Sequence, residues 1–210
     1  MKYTILILLL ACLFACTKQV ETKAIKEVKI EEVVKAQTVT LLPYEDVSTE
    51  EIHALKGTLE KEFNRLLSTE VLFKVAENNT LPPKAYVESR NRYDSYKILI
   101  YERSLIKGNE VIIGITHKDI CADVHGKKNY GIIGRGLINK QVCIVSDKRL
   151  SNKSDFWKPI LHEYIHTYYA AQHCDNNDDS CIMQDCAGKG NFRIKNALCE
   201  SCRNKILTKS

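Results

Sequence analysis

The sequence has no apolar run long enough to cross a bilayer as a permanent helix, no internal repeat and no low-complexity tract. The first absence excludes a helical membrane-spanning protein, and the other two exclude a solenoid or a disordered polymer. A basic patch is missing as well. The formal net charge is +5 over 210 residues, and the lysines alternate with glutamates instead of gathering on one expected face. No electrostatic footprint for nucleic acid results, and no such partner is expected. Methionine is scarce: beyond Met1 there is only Met183. What remains has the composition of an ordinary globular protein, with a length that suits one domain with a real core.

The N-terminus reads as an export signal. Lys2 precedes an uncharged apolar run from Ile5 to Ala15, which ends at Cys16. Leu13-Phe14-Ala15-Cys16 resembles a bacterial lipobox, which would make Cys16 the lipid-bearing first residue; an ordinary signal with an incidental cysteine is the other reading. The polar stretch that follows mixes Lys, Glu and Val without aromatics and suits a tether. The expected organisation is therefore a signal peptide over 1–15, a lipid-anchored tether over 16–37 and a folded domain over 38–210. That places the protein at the cell envelope, held to the membrane by its N-terminal lipid and expected to be a monomer.

Within the domain, Thr38 to Leu42 alternates like a strand. Ser48 followed by Glu51 is a capping-box signature, and Ile52, Leu55, Leu59 and Phe63 recur at helical spacing, so a helix over 49–67 is expected. Val71 to Val75 and Glu110 to Thr116 read as strands, and a helix is expected near 94–103 after a loop beginning at Tyr86. Tyr130 to Ile133 and Gln141 to Ser146 flank a Gly-containing connection and could pair as a hairpin. Ser154 or Asp155 can cap a further helix, with Pro159 tolerated in its first turn. The fold class expected is α+β, with a twisted mixed sheet.

That last helix carries the chemistry. Phe156, Trp157, Ile160, Leu161, Tyr164, Ile165 and Tyr168 follow the helical period, so one side should be buried. His162 and His166 stand four apart on its flank with Glu163 between them, in the sequence HEYIH. Four residues rise only about 6 Å, which lets two imidazoles converge on one ion. Such a pair suits zinc, which lowers the pKa of bound water to about 7 and polarises a carbonyl. Glu163 would take the water's proton and pass it to the leaving amine. A helix with two partly exposed histidines is the bland alternative. His173 and Met183 follow, and a third histidine and then a methionine after HExxH is the metzincin pattern.

Seven cysteines lie in the folded domain: Cys121, Cys143, Cys174, Cys181, Cys186, Cys199 and Cys202. Export permits disulfides, but an odd number cannot all pair internally. Cys121 and Cys143 read as core thiols or one disulfide. Cys199 and Cys202 could instead form a redox Cys-x-x-Cys, although no thioredoxin-like context surrounds them.

The sequence resembles the archaemetzincins at His173-Cys174, Cys181-Ile182-Met183 and Cys199-Glu200-Ser201-Cys202. Further likeness lies in Leu81 to Tyr86, Arg90 with Tyr93, Gly114-Ile115-Thr116 with Asp119, and Val145-Ser146 with Arg149-Leu150, so it runs from about residue 38 to 206. The resemblance implies a compact metzincin-like domain with an active-site helix and a zinc-stapled C-terminal segment. It implies two zinc ions: a catalytic one on His162, His166 and His173, and a structural one on Cys174, Cys181, Cys199 and Cys202. Glu163 is then the general base and Met183 the Met-turn.

The chain departs from the pattern in three places. One residue is inserted between His166 and His173, and the family's glycine there is absent, so a wider turn must deliver the third ligand. The gap from Cys174 to Cys181 is longer, and Cys186 has no counterpart. The expected function is zinc-dependent hydrolysis of peptide bonds in short peptides or proteins, with 131–146 as the sheet edge that receives substrate. The alternative is a non-catalytic zinc-binding lipoprotein that keeps the fold.

Overall fold

The computed structural model describes residues 36–67, 69–124, 126–186 and 192–207. The signal peptide, Cys16 and nearly all of the tether lie outside the described residues, as does His125. No helix among the described residues is long and apolar enough to cross a membrane.

The main sheet has five strands in the order β2-β1-β5-β9-β8: β1 (Gln37–Pro43), β2 (Val71–Val75), β5 (Val111–Thr116), β8 (Gly134–Leu137) and β9 (Val142–Ser146). All neighbours are parallel except β8, which runs antiparallel to β9 and forms one edge. A second sheet has the order β3-β4-β6-β7: β3 (Tyr86–Val87), β4 (Arg92–Asp94), β6 (Ile120–Val124) and β7 (Lys127–Ile132). The α+β expectation holds, and both sheets are mixed.

Alternation along the central strands gives the main sheet two buried faces. Val39, Leu41, Ile113, Ile115, Cys143 and Val145 face one core, shared with helix α1 (Thr49–Leu66) and helix α3 (Trp157–Tyr169). Leu42, Ile112, Val142 and Ile144 face the other, covered by helix α2 (Ser95–Ser104) through Ile98 and Leu99. Ser48 and Glu51 form the expected capping box at the start of α1, whose buried residues are Ile52, Leu59, Phe63 and Leu66. Each such burial is worth about 1.5–3 kcal/mol. Phe63 packs on Phe73 at 5.0 Å and on Tyr164 at 5.1 Å, locking α1, β2 and α3 together.

Four local expectations are corrected. Tyr130–Ile132 belongs to β7, which pairs with β6, while β9 pairs with Gly134–Leu137. The glycines that suggested a connection are inside a strand. Neither Ser154 nor Asp155 caps α3; Asn152 caps a 3-10 turn, Lys153–Asp155, that leads into it. Along α3, Tyr168 is exposed, while Thr167 and Tyr169 are buried. The stretch after Tyr86 holds two short strands before α2, which Asp94 caps.

Candidate metal centres and active-site cleft

Helix α3 fills the space between the sheet and the C-terminal segment, so it is buried almost all round. Its N-terminal end is tied down by Lys158, which pairs with Asp155 at 2.7 Å and donates to Phe192 O at 2.9 Å. Its far end is held at the β8–β9 loop, where Asn139 N–H donates to Thr167 O at 3.1 Å. The helix then stops at Ala170, which adopts the left-handed conformation at φ 51°. Ala170 makes the reversal expected of a glycine. His173 is thereby brought back over the other two histidines.

The ligand atoms of His162, His166 and His173 all lie within 4.8 Å of one another. Two of these rings are fixed from behind: His162 Nδ1–H donates to Ile182 O at 2.8 Å and His166 Nδ1–H to Ala171 O at 2.6 Å. Each Nδ1 must carry the proton to face a carbonyl, so each Nε2 is a bare lone pair. Those two Nε2 atoms stand 3.0 Å apart. Two acceptors that close repel unless a cation lies between their lone pairs. A tetrahedral zinc with nitrogens at about 2.0–2.1 Å would set them roughly 3.3 Å apart. Burial, then the neighbouring His166, pushes His162 down to about 3, and burial also lowers His166. Both rings are therefore neutral, as ligands must be. His173 is exposed, leaving one side of the group open to the cleft.

Cys174, Cys181, Cys199 and Cys202 form a second group, also with ligand atoms within 4.8 Å of one another, and no disulfide joins them. Cys174 and Cys199 sulfurs are 3.6 Å apart, close to the roughly 3.8 Å edge of a zinc–thiolate tetrahedron with bonds of about 2.3 Å. Burial raises the Cys181 and Cys202 thiols, so holding these two as thiolates requires a cation beside them. Both donor sets fit zinc, one open and one closed. The two groups share a strut: Ile182 O takes the His162 proton, Met183 O accepts from Cys174 N–H at 2.8 Å, and Ile182 N–H reaches Ala197 O at 2.8 Å. Met183 is fully buried, in the same core cluster as the apolar residues of α3.

Glu163 lines the same cleft, of about 610 Å³, between α3 and strand β8. Burial pushes its carboxyl up to about 8, with the Gly136 backbone N–H and then Arg135 drawing it back. The fit between α3 and β8 depends on two glycines. A Cβ on Gly134 would stand 2.6 Å from Glu163 Cγ, and one on Gly136 would collide with Thr167 Oγ1. Glycine inside a strand marks close approach of another element, and that signal was present in the sequence. The same region supplies the cleft residues that motif reading misses: Arg135, Tyr130, Asp185 and Gln172. Cys186 also lines the cleft, whereas Cys121 and Cys143 are free buried thiols away from both groups. His53 is exposed, and His117 bonds Asp147 at 2.9 Å.

No family model matches the chain, and no curated protein matches it by sequence. Among solved structures, archaemetzincin from Methanopyrus kandleri superposes with a TM-score of 0.71 at 20% identity, over 83% of this chain and 95% of that one. The fold is that of an archaemetzincin. The archaemetzincin from Archaeoglobus fulgidus, solved with malonate, gives 0.61 at 22% identity, covering 80% of this chain and 99% of that one. A zinc-dependent peptidase from Methanocorpusculum labreanum gives 0.62 at 20% identity over 80% and 99%. The archaemetzincin fold thus extends over nearly all the described residues. In this chain Cys202 sits on the C-terminal helix α4 (Glu200–Leu207).

Proposed function

We propose that the protein is a zinc-dependent peptidase, with His162, His166 and His173 holding the catalytic ion and Glu163 acting as general base. Cys174, Cys181, Cys199 and Cys202 hold a second, structural ion, and Met183 floors the first site. The observation that carries this reading is the pair of bare Nε2 atoms 3.0 Å apart with both Nδ1 protons committed to backbone carbonyls. A partly desolvated carboxylate next to such a group supports hydrolysis over simple metal storage. The likeness in fold to zinc-dependent peptidases adds support.

When bound, zinc supplies Lewis acidity toward a carbonyl and brings the pKa of water down to about 7. The chain supplies the rest. Backbone carbonyls of Ile182 and Ala171 hold two rings in the tautomer that leaves Nε2 free. Strand β8 offers its open edge to an extended peptide, and the glycines let that edge lie against Glu163. Glu163 is half-buried in the cleft wall, and the desolvation of its carboxylate makes it basic enough to accept a proton from water. The same carboxyl then delivers that proton to the departing amine, closing the cycle.

The substrate is a peptide or protein segment that can lie extended along β8. The N-terminal signal and Cys16 support a lipid-anchored protein at the cell envelope. Zinc-loaded protein should cleave a peptide library, and Glu163→Gln should lose about 10²–10⁴-fold in kcat with both metals retained. Full activity in Glu163→Gln would remove the general base from this account.

A further inference from the structure

We propose that Arg135 determines specificity by recognising a substrate carboxylate, so that the cleft selects acidic peptides; this rests on the peptidase reading above. Arg135 sits on the edge strand between Gly134 and Gly136. Both glycines face α3, where an added Cβ would meet Glu163 or Thr167. Side chains alternate along a strand, so Arg135 leaves on the opposite side. There its guanidinium lies over the exposed Tyr96 ring at 5.6 Å, and Arg135 is one of the residues that line the cleft.

The side chain is half-buried and makes no close ion pair among the described residues; its charge reaches Glu163 only at longer range. Arg92 and Arg149 differ, since both are engaged by Asp119 at 2.7 Å. A guanidinium offers five donors in a planar fork, and stacking on an aromatic ring fixes that plane before a ligand arrives. A second cation, Lys127, lines the same cleft over Tyr130 at 5.4 Å and also has no carboxylate partner among the described residues.

A peptide added to β8 sends alternate side chains to the two faces of the extended sheet. Residues directed to the Arg135 face meet the fork, while those on the other face meet α3. A carboxylate on the Arg135 face completes the guanidinium's unused bonds, and a lysine there meets like charge. The carboxylate can belong to an Asp or Glu side chain or to the peptide's C-terminus.

The test uses the full-length zinc-loaded Glu163→Gln protein, which binds peptides without turning them over. Labelled peptides place Glu, Gln or Lys at each position in turn, each made as free acid and as C-terminal amide, with affinity read by fluorescence anisotropy. The best Glu peptide should bind roughly five- to tenfold tighter than its Gln partner, a size set by a charge-assisted bond that is partly solvated. Arg135→Met should abolish that ratio, Arg135→Lys should keep part of it, and Arg135→Glu should favour Lys. A preference tied to Glu position identifies a side-chain carboxylate, and one lost on amidation identifies the C-terminus. Equal affinity for the three series, or a preference that survives Arg135→Met in protein of unchanged zinc content, overturns the proposal. If the preference is found but wild-type protein cleaves none of the peptides, the hydrolase reading fails while the carboxylate site stands.

Discussion

Gly134→Ala probes the contact that sets Glu163 against the substrate edge. The new methyl carbon would lie 2.6 Å from Glu163 Cγ, 2.9 Å from Oε1 and 3.1 Å from Cδ. Ordinary carbon contacts begin near 3.5 Å, so strand and helix must part by about 1 Å. Glu163 cannot yield alone, because His162 and Tyr164 beside it are buried. Overpacking of this kind costs about 1–3 kcal/mol. For a domain of this size that lowers Tm by roughly 2–4 °C per kcal/mol. A displacement of about 1 Å at a catalytic group can cost 10²-fold in rate, so kcat/KM should fall by about one to two orders of magnitude. Scanning calorimetry, zinc content and peptide cleavage measured on one preparation separate the effects, since the zinc content should not change. Parent-like Tm and parent-like activity in Gly134→Ala would refute the packing of β8 on α3 described above.

Other outcomes follow from the same geometry. Ala170 occupies the left-handed region at φ 51°, which costs an L-residue about 1–2 kcal/mol. Ala170→Gly relieves this but adds roughly 0.4–1 kcal/mol of unfolded-chain entropy. The variant should therefore match or slightly exceed the parent in chemical denaturation, whereas Ala170→Val should unfold at lower denaturant. A clear loss of stability in Ala170→Gly contradicts the assigned turn. Glu102 is fully buried; burial raises its carboxyl well above the ordinary range, and the Tyr44 hydroxyl at 3.0 Å only partly offsets this. A raised folded-state pKa means that its contribution is complete below the ordinary carboxylate value and is lost as pH rises through the raised one. Glu102→Gln should flatten the Tm-against-pH curve on the alkaline side. A constant offset at every pH would contradict the neutral buried acid.

Much of the site was legible because its chemistry is written at helical spacing. HEYIH fixes two imidazoles and a carboxylate on one stiff element, and the resemblance to archaemetzincins implies the four cysteines of a closed thiolate site. Strand β2 and the capping box of α1 were readable for similar local reasons. The edge strand was not. Gly134, Arg135 and Gly136 look like a connection because glycine serves both turns and close approaches, and only tertiary packing against α3 distinguishes these. Strands β3 and β4 are only two and three residues long, and β4 meets β6 across the intervening α2 and β5, which leaves little local pattern. The missing glycine after HEYIH suggested a wider turn, and Ala170 supplies the reversal by accepting a strained backbone conformation.

Metal analysis of the purified protein is the most direct test of the two centres. Mass spectrometry should give about two zinc ions per chain. The count should fall to about one in His162→Ala/His166→Ala, with X-ray absorption of the remaining ion reporting only sulfur neighbours at about 2.3 Å. A double variant that still holds both ions, or a residual ion bound through nitrogen, would contradict three imidazoles sharing one metal.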